Sequence, residues 1–227
     1  MLNLRDPSGS RHSHSREGQN VVAISARKTP VQARSRATVE AILDAASRVL
    51  LERRGAFTTT RVAERAGVGI GTLYQYYPSK EALLVALLDR KMGAVAQAMA
   101  DAIATTEHAA LTARIEAIID AILAQKRRQP ELASILRAEL GRIDGHRRVV
   151  QTMRRNEAGL RALLESHADE LAGLDLDLTA GVLTSAVEGT LNAAIERAPT
   201  SVRRPEFRDA LVRLVLGYLR ESGWQPS

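Results

Sequence analysis

The chain has 227 residues, 45% hydrophobic and 26% charged, the balance of a soluble globular protein with a sizeable core. It has no cysteine, which excludes disulfides, zinc–thiolate centres and cysteine nucleophiles. No apolar run approaches the roughly 20 residues of a membrane span, so no membrane partner is expected. The formal charge of +6 is one-sided: residues 1–91 hold 15 Lys/Arg against 8 Asp/Glu, and residues 92–227 hold 17 against 18. Basic charge gathered in one part of a chain attracts phosphate and gives affinity without sequence information.

Residues 1–34 form a leader rich in Ser, Arg, Gly and His. It is too poor in apolar residues to order itself and has no continuous apolar stretch of a secretory signal, so it reads as a disordered basic leader. His12 and His14 read as two solvated histidines rather than a metal site. Arg27, Lys28, Arg34 and Arg36 can add phosphate or minor-groove contacts as a basic arm. Ser35 to Arg54 is the first strong helix, with Val39, Ile42, Leu43, Ala46, Val49 and Leu50 at i, i+3, i+4 spacing and Gly55 ending it. Phe57 should plug the junction beneath it.

Thr58 to Lys80, TTTRVAERAGVGIGTLYQYYPSK, reads as two short helices joined by a tight turn. Thr59 or Thr60 can cap the first, because a hydroxyl accepts from the orphan N–H groups of a first turn. Gly67-Val68-Gly69 supplies the break, since glycine tolerates a left-handed exit. Ile70 to Tyr76 makes a second helix of two turns, stopped by Pro78. Leu73 and Tyr77 should face the core, which leaves Gly71, Thr72, Tyr74, Gln75 and Tyr76 on or near the outside. A small, hydroxyl-rich and aromatic exposed face suits a helix that must approach another polar object closely, as in a helix-turn-helix.

The run Ala66-Gly67-Val68, then Gly71-Thr72-Leu73-Tyr74, Tyr76-Tyr77 and Ser79-Lys80-Glu81-Ala82-Leu83 resembles the N-terminal domain of TetR-family transcriptional regulators. The match runs from about Ser35 to Met92, gapless and at fixed spacing. The resemblance implies an all-α fold of about nine helices. A three-helix DNA-binding domain would span 35–92, with its helix-turn-helix at about 58–77, and a larger ligand-binding and dimerisation domain would span 93–227. It further implies that Thr59, Thr60, Tyr76 and Lys80 hold phosphates. Ile70, Gly71, Thr72, Tyr74 and Gln75 would sit in the major groove, with Gln75 the hydrogen-bonding base reader. The N-terminus of the first helix, near Arg36, can offer N–H groups to a phosphate. Two positions depart from the family pattern. Gly69 stands where a Ser-like cap is common, and Ile70 where a polar or basic residue is common; Ile can touch only a thymine methyl.

Ser79 is a good N-cap for a long helix from Lys80 to about Thr105, with Leu83, Leu84, Leu87, Leu88, Met92, Val95, Met99 and Ile103 on its buried side. In the resembled family this helix joins the two domains. Further helices run over 110–129, 131–142, 147–171, 178–197 and 205–222, with a turn at Ile143 to His146, another at 172–177, and a loop at 198–204. No period-two strand pattern appears. On the last two helices Leu183, Val187, Leu191 and Ile195 form one apolar stripe, and Leu211, Leu214, Val215 and Tyr218 another. The resemblance implies that these helices pair with their twofold mates, giving a homodimer that reads a near-palindromic operator.

Little points to catalysis. His108, His146 and His167 are isolated, with no His-x-x-x-His or Glu-x-x-His pair, and there is neither a phosphate loop nor a nucleophile elbow. No enzyme activity, metal or cofactor is expected. The reading is a cytoplasmic bacterial regulator, nucleoid-associated when bound, most simply a repressor released by a small apolar effector held among the middle helices. Activation on the same fold, or a helical ligand-binding adaptor without specific DNA binding, is the alternative. Few aromatics in the C-terminal part disfavour a stacked multi-ring ligand. Arg137, Arg142, Arg147, Arg148, Arg154 and Arg155 read first as a solvated basic face and second as an anion-greeting one.

Overall fold

In the computed structural model residues 33–52, 56–140 and 145–224 are described. The expected disordered leader, with His12 and His14 and the arm residues Arg27 and Lys28, lies outside them up to residue 32, while Ala33 and Arg34 belong to the first helix. Among the described residues the chain forms nine α-helices and no strand. They are α1 (Ala33–Leu51), α2 (Thr59–Ala66), α3 (Ile70–Tyr76), α4 (Lys80–Thr105), α5 (Leu111–Lys126), α6 (Pro130–Leu140), α7 (Gly145–Glu165), α8 (Leu176–Arg197) and α9 (Pro205–Glu221). A short 3-10 turn, Pro199–Arg203, occupies the expected loop before α9.

Two apolar cores organise these helices. The first gathers Ile42, Ala46 and Val49 of α1, Val62 of α2, Leu73 of α3, and Leu83, Leu84 and Leu87 of α4. Leu132 and Leu136 of α6 also belong to it, both fully buried. The second lies among α4, α5, α7, α8 and α9, around Leu111, Leu123, Leu164, Leu183, Leu191, Leu211 and Leu219. The long α4 contributes to both, because its apolar side turns from Leu83 and Leu87 in the first core to Met99 in the second. Arg90 pins α4 to α1 from outside: its guanidinium donates to Glu40, Asp44 and the Ser47 hydroxyl at 3.1, 2.8 and 3.1 Å.

Sequence signals set most helix ends. Ser79 caps α4 by accepting from the Ala82 amide at 3.1 Å. Asp175 caps α8 by accepting from the Leu178 amide at 3.0 Å, which starts α8 two residues before the expected Leu178. The expected cap of α2 is corrected: Thr58, not Thr59 or Thr60, is the extended residue whose hydroxyl accepts from the Arg61 amide, at 3.3 Å. Gly67 ends α2 with φ +67°, the left-handed conformation that favours glycine. Gly145 and His146 belong to α7 rather than to the expected turn, of which residues 143 and 144 lie outside the described residues. The helix expected to reach 171 stops at Glu165, and successive turns carry the chain to Leu174.

Candidate nucleic-acid interface

Local geometry turns α3 outward. Its seven residues are too few to be stable alone, so Leu73, fully buried, and Tyr77, 2% exposed, anchor it to the first core. Gly69, the N-cap residue, gives no side-chain cap bond, as the sequence led us to expect of that position. The opposite face carries Ile70 and Tyr74, each 42% exposed, and the exposed Gly71 and Gln75. A Cβ placed on Gly71 would meet nothing within 4 Å, so no internal packing requires its smallness. Large apolar groups in water on a short polar-approach face are the unusual feature here, since they gain nothing from their own chain.

Two hydroxyls meet at the edge of this face. Thr59 Oγ1 lies 3.0 Å from the Tyr74 hydroxyl, joining the start of α2 to the middle of α3. Thr60 beside them is exposed, Thr72 is half-buried, and Arg36 is exposed on the first turns of α1. Lys80 begins α4 half-exposed, its ammonium 5.5 Å from the centre of the Phe57 ring and 3.5 Å from a Glu139 carboxylate oxygen of α6. The basic residues of α2 are less free. Arg61 donates to Glu52 at 2.5 Å and to the Ala56 carbonyl at 2.9 Å, and Arg65 pairs with the same Glu52.

Tyr76 departs from expectation. It is buried, and its hydroxyl lies 2.7 Å from Ser35 Oγ of α1, so it does not stand on the outer face with Tyr74. Residues 73, 76 and 77 are related by i+3 and i+4 and therefore share one side of the helix. The sequence held that signal, and the Ser35 partner was not foreseen.

Six of the eight residues of the expected dimer stripes are buried within the chain itself. Leu183, Val187, Leu191 and Ile195 of α8, and Leu211 and Val215 of α9, are buried in the chain's own second core; Leu214 and Tyr218 are half-buried against it. The exposed apolar residues of α8 are instead Leu178, 61% exposed, and Val182, 37% exposed. Ala186, Gly189 and Ala193 continue the same line at helical spacing.

Between α4, α5, α7, α8 and α9 lies a cavity of about 50 Å³. Its walls are aliphatic: Met99 and Ile103 from α4, Ile115, Ile118, Ile119 and Ile122 from α5, Leu160 from α7, Leu183 and Val187 from α8, Val215 from α9. Three polar residues interrupt them: Asn156 of α7, and Thr184 and Glu188 of α8. Glu188 accepts from Lys126 Nζ at 3.2 Å. One turn of α5 away from Ile118, Arg114 is buried, donating to Ser166 Oγ at 3.0 Å and to the Ile103 carbonyl at 3.5 Å. Of the arginines named for an anion, Arg154 and Arg155 are exposed on α7. The side chains of Arg137, Arg142, Arg147 and Arg148 lie outside the described residues. Among the described residues no group of three or more His, Asp or Glu could hold a metal, and no helix is long and apolar enough to cross a membrane.

A three-helix head with an exposed third helix, carried on a helical body with an internal cavity, is the arrangement of a helix-turn-helix regulator. Comparison with known families agrees. Residues 42–87 match the family described as bacterial regulatory proteins, tetR family, and residues 110–219 match the tetracyclin repressor-like C-terminal domain. The chain belongs to the TetR family of transcriptional regulators, which are DNA-binding proteins and not enzymes.

Individual relatives are distant. The nucleoid occlusion factor SlmA of Pasteurella multocida (strain Pm70) is 30% identical over 109 residues, 47% of this chain and 54% of that protein. The chain thus matches about half the length of that curated relative. A TetR transcription regulator from Haloarcula marismortui superimposes with a TM-score of 0.65 at 20% identity, over 81% of this chain and 97% of the other. FadR from Bacillus subtilis, solved with stearoyl-CoA, gives 0.61 at 23% identity, over 79% and 96%. At these identities the two structures speak for the fold.

Proposed function

We propose that this regulator is a homodimeric repressor that binds a near-palindromic operator and leaves it when a small apolar effector occupies the cavity. The observation that carries the DNA reading is the outer face of α3, with Ile70 and Tyr74 exposed beside Gly71 and Gln75. Such a face fits the major groove, where Gln75 can pair with an adenine edge and Ile70 can meet a thymine methyl. Thr59 and Tyr74 offer adjacent hydroxyls, Thr60 a third, and Lys80 a cation; these suit phosphates flanking the groove. Arg36 extends the basic rim from α1. Tyr76 takes a different role in this reading: bonded to Ser35, it fixes the angle at which α1 meets α3.

One α3 covers only a few base pairs, and two about 34 Å apart would read a palindrome. The line from Leu178 and Val182 through Gly189 to Ala193 on α8 is our proposed pairing surface. Its large residues are exposed in one chain, and its small ones permit close helix approach. The effector reading is supported by the aliphatic cavity and by α4, which contributes Met99 and Ile103 to that cavity and begins at Lys80 beside the head. Widening the cavity would move one end of a stiff 26-residue helix whose other end carries the head. That the related FadR fold was solved with stearoyl-CoA fits an apolar ligand.

Selection of bound genomic fragments by the purified chain at near-physiological salt tests the whole reading. The expected product is a palindromic site beside a gene. Bulk, salt-sensitive binding with no enriched site would overturn sequence-specific regulation.

A further inference from the structure

We infer that Arg114 and the cavity beside it take an aliphatic chain ending in a carboxylate, with the chain in the cavity and the carboxylate on the guanidinium. The inference rests on the cavity being an effector site and names the class of ligand that site takes. Arg114 of α5 is only 4% exposed, yet no carboxylate of the described residues pairs with it. It donates to two neutral acceptors, the Ser166 hydroxyl at 3.0 Å and the Ile103 carbonyl at 3.5 Å. Both stand where α7 and α4 end, and the partial negative charge of a helix C-terminus favours a cation without neutralising it. An arginine keeps its charge at any working pH, so a buried guanidinium without a counter-ion is unfavourable. Its Nε is the one buried side-chain nitrogen or oxygen among the described residues that lacks a hydrogen-bond partner.

The open donors share one edge. In a planar guanidinium the Nε–H and one Nη2–H point the same way and meet the two oxygens of a carboxylate side by side. Here Nε has no acceptor, and Nη2 has only the 3.5 Å contact, which is long for a hydrogen bond. A hydroxyl oxygen would fill one donor and leave the charge, whereas a carboxylate fills both and neutralises it. Glu188, the charged residue of the cavity lining, is already held by Lys126 at 3.2 Å and does not serve as that counter-ion. Ile103, whose carbonyl meets Nη2, lines the cavity, as do Ile115, next to Arg114 in the chain, and Ile118, one turn further along α5. A carboxylate on Arg114 can therefore leave its chain among those isoleucines. The cavity of about 50 Å³ is smaller than the roughly 150 Å³ apolar cavity that holds benzene, so a chain enters by parting the walls. Two of those walls, Met99 and Ile103, belong to α4, and the carboxylate would take Nη2 from the Ile103 carbonyl. Head and chain of the ligand thus both act on the last turns of α4.

The test uses the full chain and four probes: octanoate, octan-1-ol, octylammonium, and acetate, which has the head without the chain. Calorimetric titration should give saturable octanoate binding, with each of the others about ten-fold weaker or more. Arg114→Met, which removes fork and charge, should abolish the preference for octanoate over octan-1-ol. Arg114→Lys, which keeps the charge without the fork, should reduce it, and serves if the methionine variant does not fold. The ranking of the probes by the unaltered chain needs neither variant. A guanidinium that only braces the ends of α4 and α7 would leave the preference unchanged on substitution. That result, equal or tighter binding of any other probe, or no binding by any, would overturn the proposal. Release from the selected duplex separates the two readings. Octanoate binding without release keeps the carboxylate site and removes the effector role. Equal binding of octan-1-ol that does release DNA keeps the effector role and removes the Arg114 assignment.

Discussion

Lys80 and Glu139 join the base of the DNA-binding head to α6 across 3.5 Å, on the side where the proposed phosphate contact falls. Both side chains are more than a third exposed, so the pair adds little stability and its role is competition for the ammonium. Glu139→Gln should therefore tighten binding to random duplex two- to five-fold at low salt, an effect of under about 1 kcal/mol. Lys80→Ala should weaken binding to all sequences and lower the slope of log affinity against log salt by about one. Fluorescence anisotropy over a salt series measures both. An unchanged slope for Lys80→Ala would remove that residue from the phosphate set.

Gln75 stands apart from these contacts because in the proposed reading it meets base edges and not phosphates. Gln75→Ala should alter which sequences are enriched, with about 1–3 kcal/mol lost at the base pair it reads and little change on random duplex. Competition between single-base operator variants reads this directly.

The 2.7 Å contact of Tyr76 with Ser35 leads to a stability effect first. Tyr76→Phe should cost about 0.5–1.5 kcal/mol in urea unfolding. Ser35→Ala should cost a similar amount, and the double variant less than the sum, because both remove one bond. Additive losses would show that the two hydroxyls do not depend on each other.

Substitutions on α8 should divide by face. Leu178→Asp and Val182→Arg, on the exposed line, should leave the far-ultraviolet spectrum and melting temperature nearly unchanged while shifting sedimentation toward a monomer. Leu191→Asp should unfold the protein, since it buries a charge with no partner in the second core. A dimer that survives both exposed changes would place the pairing surface elsewhere.

Lys91 supplies a pH effect. Burial, with Arg90 and Lys126 nearby, pulls its ammonium down from the ordinary 10.5 to about 8, although it donates to the Gln129 carbonyl at 3.3 Å. Between these two values the unfolded chain holds the proton and the folded one does not, so this group makes stability rise as pH climbs from 8 to 10.5. Below pH 8 the charged amine is buried at full cost. Lys91→Met should accordingly raise the melting temperature at pH 7, with the advantage shrinking toward pH 10.5. A constant difference would mean that the amine titrates normally.

The head was legible because its constraints are local. Gly67 at φ +67°, the Ser79 cap and the Leu73–Tyr77 spacing each act within a few residues, and the sequence displays them directly. Tyr76 was misplaced because an aromatic at i+3 from Leu73 was counted with the outer face. What draws it in is Ser35, forty-one residues away. The α8 stripe shows a different limit. Leu183, Val187, Leu191 and Ile195 recur at helical spacing because something buries them, but periodicity does not say which chain does so. The exposed line is faint in the sequence because past Val182 it is made of alanine and glycine, which carry little hydrophobic signal. The cavity was expected among the middle helices, but its lining depends on how five helices pack and no single helix displays it.

Leu132 and Leu136 have a consequence for how such proteins can be rebuilt. They come from α6 but complete the first core beside Leu83, Leu84 and Leu87. A recognition unit lifted out of this chain and fused to another body would arrive with part of its floor missing. Exchange of heads between relatives therefore demands that the receiving helix present leucines of the same reach and register. The head's core and the body's α6 share side chains, and neither can be transplanted without carrying a piece of the other.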